Sequence, residues 1–244
     1  MSKAEADLLD AVERCYSVFA SMPRPRALDA SPLRDANEIL RTLTSAPLRD
    51  LTGEQVGPYS GWAITTVGDD RDYRHFLPRI FELAVMDPVW LGTEPPVMAG
   101  KLNMASWRTW PSEQQTAVVR FFVTAFRATM ETHPDGGRPA DEWLCGIATL
   151  GESVSPAFER WRSSASPNAA LQMASFISRE AKHLRRHAQV AGSFWKGVNE
   201  EVRREVAKLL TAERTRAFLD AAAARESEES YLIGAALSDL QRQF

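Results

Sequence analysis

Apolar residues recur three and four positions apart along nearly the whole chain, the spacing of helices that turn one face to a core. Over residues 4–22, Leu8, Leu9, Val12, Cys15, Tyr16 and Phe19 form one such stripe, and Pro23 and Pro25 end it because proline cannot continue a helix. A second helix is predicted to start near Ser31 and Pro32, where serine suits the cap and proline the first turn. It would carry Leu33, Ala36, Ile39, Leu40 and Leu43. Thr52 is placed to cap a segment reaching Trp62, with Gly57 and Pro58 as its weak point, and Asp69 or Asp70 to cap a helix over about 70–86.

The next helix, over 92–106, is expected to begin with a Thr93 cap and prolines in its first turn. The strongest pattern in the chain runs over 111–132, opened by Pro111 and Ser112 and closed by the turn residues of 133–139. Further helices are predicted at about 140–150, 155–164, 167–190, 194–210, 212–225 and 228–243. Ser155, Ser166 and Thr211 are read as their start signals. The run "WAITTVG" is the one short β-branched stretch, and it lacks the alternation of a strand.

These helices fall into successive pairs of about 40 residues: 70–86 with 92–106, 111–132 with 140–150, and 155–164 with 167–190. The expected fold is therefore all-α, with about ten helices in antiparallel pairs, arranged as a HEAT-like solenoid or as an irregular bundle. One domain of residues 1–244 is expected, with 133–139 as the place where it would subdivide.

Composition narrows the class. A chain of 244 residues that is 44% hydrophobic and 25% charged can bury a sizeable core and is not of disordered type. Its net charge of −3 gives no overall pull toward nucleic acid or anionic lipid. Cys15 and Cys145 stand far apart without CxxC spacing, which suits a reducing compartment and argues against a disulfide framework or structural zinc. The first residues are charged and helical in pattern, without the apolar run of a secretory signal, and no stretch approaches 18 apolar residues. The expected location is cytoplasmic.

Candidate chemistry concentrates in "GDDRDYRHFLPRIFEL", residues 68–83, where Pro78 interrupts an otherwise helical pattern. Pro78 lacks an N–H and should kink the helix, leaving the carbonyl of Arg74 without its intrahelical donor. Asp72, His75 and Arg79 share a face there, with Asp72 able to pair with either neighbour. They read either as polar residues that satisfy a kinked core helix or as part of a binding surface. A second cluster, "NMASWRTWPSEQQ", places Trp107 and Trp110 at a helix corner with Lys101 and Arg108 nearby. These tryptophans plug a core or, with the two cations, form a patch for a partner.

The stretch "TTVGDDRDYRHFLPRIFEL", followed by "KLNMASWRTWP", resembles a family of bacterial all-helical proteins without an assigned activity. That family has a Gly-Asp…His-Phe-Leu-Pro-Arg core and a following Lys-Leu…Trp…Trp-Pro segment. The resemblance covers about residues 60–125. It implies an all-helical fold and no activity, cofactor or catalytic residue.

Residues 179–187, "REAKHLRRH", are locally basic. His183 and His187 have the separation of two metal ligands on a helix, but the glutamate of HExxH is missing and Lys182, Arg185 and Arg186 would repel a dication. A solvated basic face is the expectation, ahead of RNA or DNA contact. No GxSxG, Walker loop or GxGxxG occurs, no cofactor is expected, and carboxylate pairs such as Glu200/Glu201 and Glu228/Glu229 read as solvated helix faces. The function that follows is a non-catalytic module that binds another protein through Asp72, His75, Arg79, Lys101, Trp107, Arg108 and Trp110. Its sharper form is a cytoplasmic immunity- or antitoxin-like protein that occludes its partner. The alternatives are a hydrolase or phosphate-ester enzyme built on Asp72, His75 and Arg79, and a nucleic-acid binder through 179–187.

Overall fold

The computed structural model describes residues 2–137, 139–225 and 229–241, and for Trp90 the backbone alone. Thirteen α-helical segments and four short 3₁₀ turns account for the regular structure of the described residues, which hold isolated β-bridges but no strand. Those bridges join Val67 to Ala30 and Ala63, so "WAITTVG" is a tight loop. Packing divides the chain into two compact units, residues 1–125 and 126–244. The division falls inside a helix and not at the 133–139 turn.

The first unit begins with α1 (Lys3–Phe19), where the Ser2 hydroxyl and the Glu5 carboxylate satisfy each other's backbone N–H groups in a capping box. Its buried face is Ala4, Ala11, Val12, Cys15, Tyr16 and Phe19, close to the predicted stripe. The second helix corrects the sequence reading. Ser31 and Pro32 form a turn, α2 runs over Ala36–Leu43, and its cap is the carboxylate of Asp35. Leu33, expected on the buried stripe, is 92% exposed.

Thr52 and Gln55 make the capping box of α3 (Gly53–Trp62), which contains Pro58. The helix α4 (Asp70–Met86) packs on α1 and buries Tyr73, Phe76, Leu77, Ile80 and Phe81. A one-turn helix, α5 (Pro88–Leu91), stops at Gly92, whose φ of 64° is easily reached by glycine alone. Then comes α6 (Pro95–Met104), which Thr93 does not cap; the Thr93 hydroxyl lies against that of Ser60 instead. The ring of Phe81 stacks on Phe121 of α7 (Ser112–Met130) at 4.1 Å, with Phe122 edge-on.

The second unit contains α8 (Ala140–Thr149), α9 (Ser155–Arg162) and α10 (Pro167–His187). It closes with α11 (Glu200–Thr211), α12 (Glu213–Ala223) and α13 (Ser230–Gln241). The longest, α10, packs against α13 and α12. Its core is an aromatic column in which the rings of Trp161 and Trp195 both stack on Phe176, with centroids at 6.4 and 6.0 Å. Buried Gln172 accepts from the N–H of Ala140 and donates to the carbonyls of Thr129 and Thr132, satisfying the start of α8 and the last turns of α7 with one side chain.

Several predicted start signals have other roles. The Ser155 hydroxyl bonds Glu205, Thr211 ends α11 by bonding the carbonyl of Ala207, and Asn199 is the cap that the 194–210 reading overran. The predicted successive pairs are not among the closest helix approaches, which join α1 with α4 and α10 with α13. The predicted limits 228 and 243 of the last helix lie outside the described residues, as does Glu228, whereas Glu229 accepts from His133 at 2.7 Å and is no simple solvated face. Cys15 and Cys145 are free thiols, both fully buried, one in each unit.

Candidate functional site

Each part of the 68–83 motif has a structural task. Gly68 sits at φ 66°, and a Cβ there would lie 2.9 Å from Oδ2 of Asp72. Asp69 caps α4 by accepting from the N–H groups of Arg71 and Asp72. The Asp72 carboxylate turns back to accept from the Asp69 N–H at 3.1 Å, so it completes a capping box and pairs with neither His75 nor Arg79. Burial raises its pKa, against the lowering effect of that backbone bond.

His75 and Arg79 each reach a backbone carbonyl on a loop. Nδ1 of His75 donates to the carbonyl of Met22 at 3.0 Å, which fixes its neutral tautomer, since a carbonyl can only accept. Burial lowers the His75 pKa, so the neutral ring is favoured. Arg79 donates from Nε to the carbonyl of Leu51 at 2.7 Å and from Nη1 to Glu82, which also accepts from the Tyr16 hydroxyl. The three residues of the candidate enzyme site therefore point to three different partners.

The second predicted cluster is mostly interior. Lys101 is 5% exposed, and its ammonium donates to the carbonyls of Gly61 and Ala63 and to the Thr65 hydroxyl. It thus satisfies the last carbonyls of α3, where a cation is favoured by the helix dipole. Trp107 and Trp110 are buried, and their indole N–H groups donate to the Asn103 side chain and the Ala105 carbonyl. Arg108 is exposed, with its guanidinium 4.2 Å from the centre of the Trp107 ring. Of the predicted aromatic and cationic patch, Arg108 is the member left at the surface.

The basic stretch of α10 is less open than its sequence suggests. Arg179 pairs with the buried Asp141, Arg185 pairs with Asp239, and Glu180 is buried, accepting from the N–H groups of Ala191 and Gly192. These acidic partners come from outside the stretch, which is why local charge did not reveal them. Lys182 and Arg186 remain exposed, and the His183 and His187 rings lie 6.4 Å apart. Among the described residues no group of three or more His, Cys, Asp or Glu side chains is placed to hold a metal ion, and no helix is long and apolar enough to cross a membrane.

Two concavities of the first unit bear on a candidate site. One, of about 600 Å³, lies between α1, α4 and the 47–50 turn. Its lining includes His75 and Pro78, the apolar Phe19, Met22 and Leu48, and the Glu13–Arg49 pair. Arg49 also lies 3.7 Å over the Tyr16 ring, so its charge is already engaged from two sides.

The other, of about 340 Å³, is a groove between α2 and α3 that sequence reasoning did not single out. From α2 it takes Glu38, Ile39, Thr42 and Leu43, and from α3 Glu54, Gln55, Pro58, Tyr59 and Trp62, one face of each helix. Exposed Leu33 stands at its edge, and Arg34 lies 3.9 Å over the partly exposed Trp62 ring. Of the helix α2 only Leu43 is buried, although its apolar residues share one side. A helix face without full cover beside a large exposed aliphatic side chain is the composition of a docking surface.

Comparison with known proteins finds no matching family model, no matching curated protein and no matching solved structure.

Proposed function

We propose that the chain is a non-catalytic module that binds another protein, and that the partner docks in the α2–α3 groove. The observation that carries this reading is the groove itself: Leu33, Ile39 and Trp62 offer apolar surface to solvent between two helices, the arrangement that receives an inserted helix or loop. A protein that occludes its partner, in the manner of an immunity or antitoxin protein, is the narrower form of the same proposal. The enzyme reading has less support, because Asp72 and Arg79 are committed to backbone groups and to Glu82, leaving His75 alone of the three in the lining of the larger cleft. Nucleic-acid binding through α10 has less support for the same kind of reason, since Arg179 and Arg185 are neutralised by Asp141 and Asp239.

The test is capture of a partner by the full chain from extracts of its source cells, repeated with Leu33→Arg. Leu33 is almost wholly in solvent, so the substitution leaves the fold intact. Loss of the captured protein with an unchanged melting temperature is the expected result. A partner retained at wild-type level by Leu33→Arg overturns the groove as the docking site.

A further inference from the structure

Building on that reading, we infer that the partner presents a basic amphipathic segment to the α2–α3 groove, with aliphatic side chains entering between the helices and lysines or arginines meeting the rim. The floor sets the first half of this description. Ile39, Leu43, Pro58 and Trp62 are apolar, and the α3 wall from Glu54 to Trp62 runs nine residues, about 12 Å from first to last, which matches two turns of a docked helix.

The rim sets the second half. Asp35, Glu38 and Glu54 bring three carboxylates to a groove in which, among the described residues, Arg34 is the one lining cation. Asp35 spends one oxygen on the N–H groups of Asn37 and Glu38, and among the described residues none of the three carboxylates forms an ion pair. The Arg34 guanidinium lies over the Trp62 ring, 3.9 Å from its centre, where it covers the aromatic face that an incoming cation would otherwise use. Arg41 belongs to α2 but is absent from the groove lining. An acidic rim around an apolar floor attracts a cationic amphipathic segment and repels an acidic one, so charge here selects the partner while the floor holds it.

The experiment titrates the full chain into three fluorescent peptides of about 18 residues, long enough to sample a helix. The first has leucines on one helical face and lysines elsewhere; the second replaces its lysines by glutamate; the third replaces its leucines by serine. The Leu/Lys peptide should bind saturably, weaken with added salt, and lose about tenfold or more in affinity with Glu38→Lys plus Glu54→Lys or with Leu33→Ser. Glu200→Lys plus Glu201→Lys, exposed charges in the second unit, should leave it within about twofold. Arg34→Ala should tighten it by uncovering Trp62.

Failure of the Leu/Lys peptide to bind, or binding indifferent to the Glu38/Glu54 reversal, overturns the basic-partner inference. If the Leu/Glu peptide binds instead and depends on Leu33, the inference falls while the groove stands as a docking site. If peptides bind with no dependence on Leu33, Glu38 or Glu54, the groove reading falls with it.

Discussion

Nδ1 of His75 lies 3.0 Å from the carbonyl oxygen of Met22, fifty-three residues earlier, and this bond ties the middle of α4 to the loop leaving α1. The histidine is there to complete a backbone, and His75→Ala should lower stability by about 1–2 kcal/mol near pH 8, read from urea unfolding. Because burial holds its folded pKa below the ordinary 6.5, the unfolded chain takes up the proton first. Stability from the neutral ring is therefore present above about pH 6.5 and falls as the pH drops below it. His75→Ala should lack that part of the acid slope. A folded His75→Ala protein with unaltered stability and no partner binding would instead make His75 a binding residue.

Gly68→Ala should destabilise by about 1–3 kcal/mol, since alanine is strained at φ 66° and its methyl would meet the Asp72 carboxylate that completes the α4 cap. Thermal unfolding compared with Gly61→Ala, where a Cβ meets nothing within 4 Å, separates this effect from ordinary glycine replacement.

Lys101→Met keeps the aliphatic stem and removes the ammonium, stranding the carbonyls of Gly61 and Ala63. A loss of about 1–3 kcal/mol is expected in the denaturation midpoint at constant slope. Lys101→Arg should not restore it, because a flat guanidinium cannot reproduce three bonds made from one nitrogen.

The Tyr59 hydroxyl is buried and finds no hydrogen-bond partner among the described residues. Burial, with the nearby Asp72 charge, raises its pKa well above the usual phenol value, so it stays protonated. Tyr59→Phe removes an unsatisfied polar atom and keeps the ring that packs edge-on against Phe76. Its melting temperature should equal or exceed that of the wild type. A clear drop would reveal a partner for the hydroxyl.

Asp141 gives the opposite pH dependence to His75. Burial raises its pKa from 3.8 to about 6 despite the Arg179 charge, so the folded state keeps its proton longer than the unfolded chain does. That contribution is full below about pH 4 and is lost as the pH rises to about 6, at most about 3 kcal/mol. Asp141→Asn should flatten the decline between those values in a stability–pH series.

Where a residue's task is local, the sequence announced it. The caps Thr52 and Asp69 and the stripe of α1 are readable because each stands within a turn of the residues it serves, whereas Asp72, expected to pair with His75 or Arg79, closes the Asp69 capping box instead. Ser31 and Thr93 look equally suitable as caps, but other contacts claim their hydroxyls: that of Ser31 accepts from the N–H of Leu33 in the turn before α2, and that of Thr93 meets Ser60 of α3. Lys101 could not be placed from sequence, since a lysine beside two tryptophans looks like a surface cation until α3 is seen to end against it. The groove was hidden for a related reason. Leu33 and Trp62 each match a core pattern, and only the shift of the α2 start to Ala36 leaves Leu33 outside.

The two buried cysteines make the chain its own pair of clocks. Cys15 belongs to the first unit and Cys145 to the second, and burial raises both thiol pKa values, that of Cys15 to about 12. Neither sulfur can react with a thiol reagent until the packing around it opens, so each labelling rate times the opening of one unit alone. Equal rates that change together under denaturant would mark one cooperative transition, and rates that part company would show that one half of the protein breathes, or yields to a partner, while the other keeps its shape.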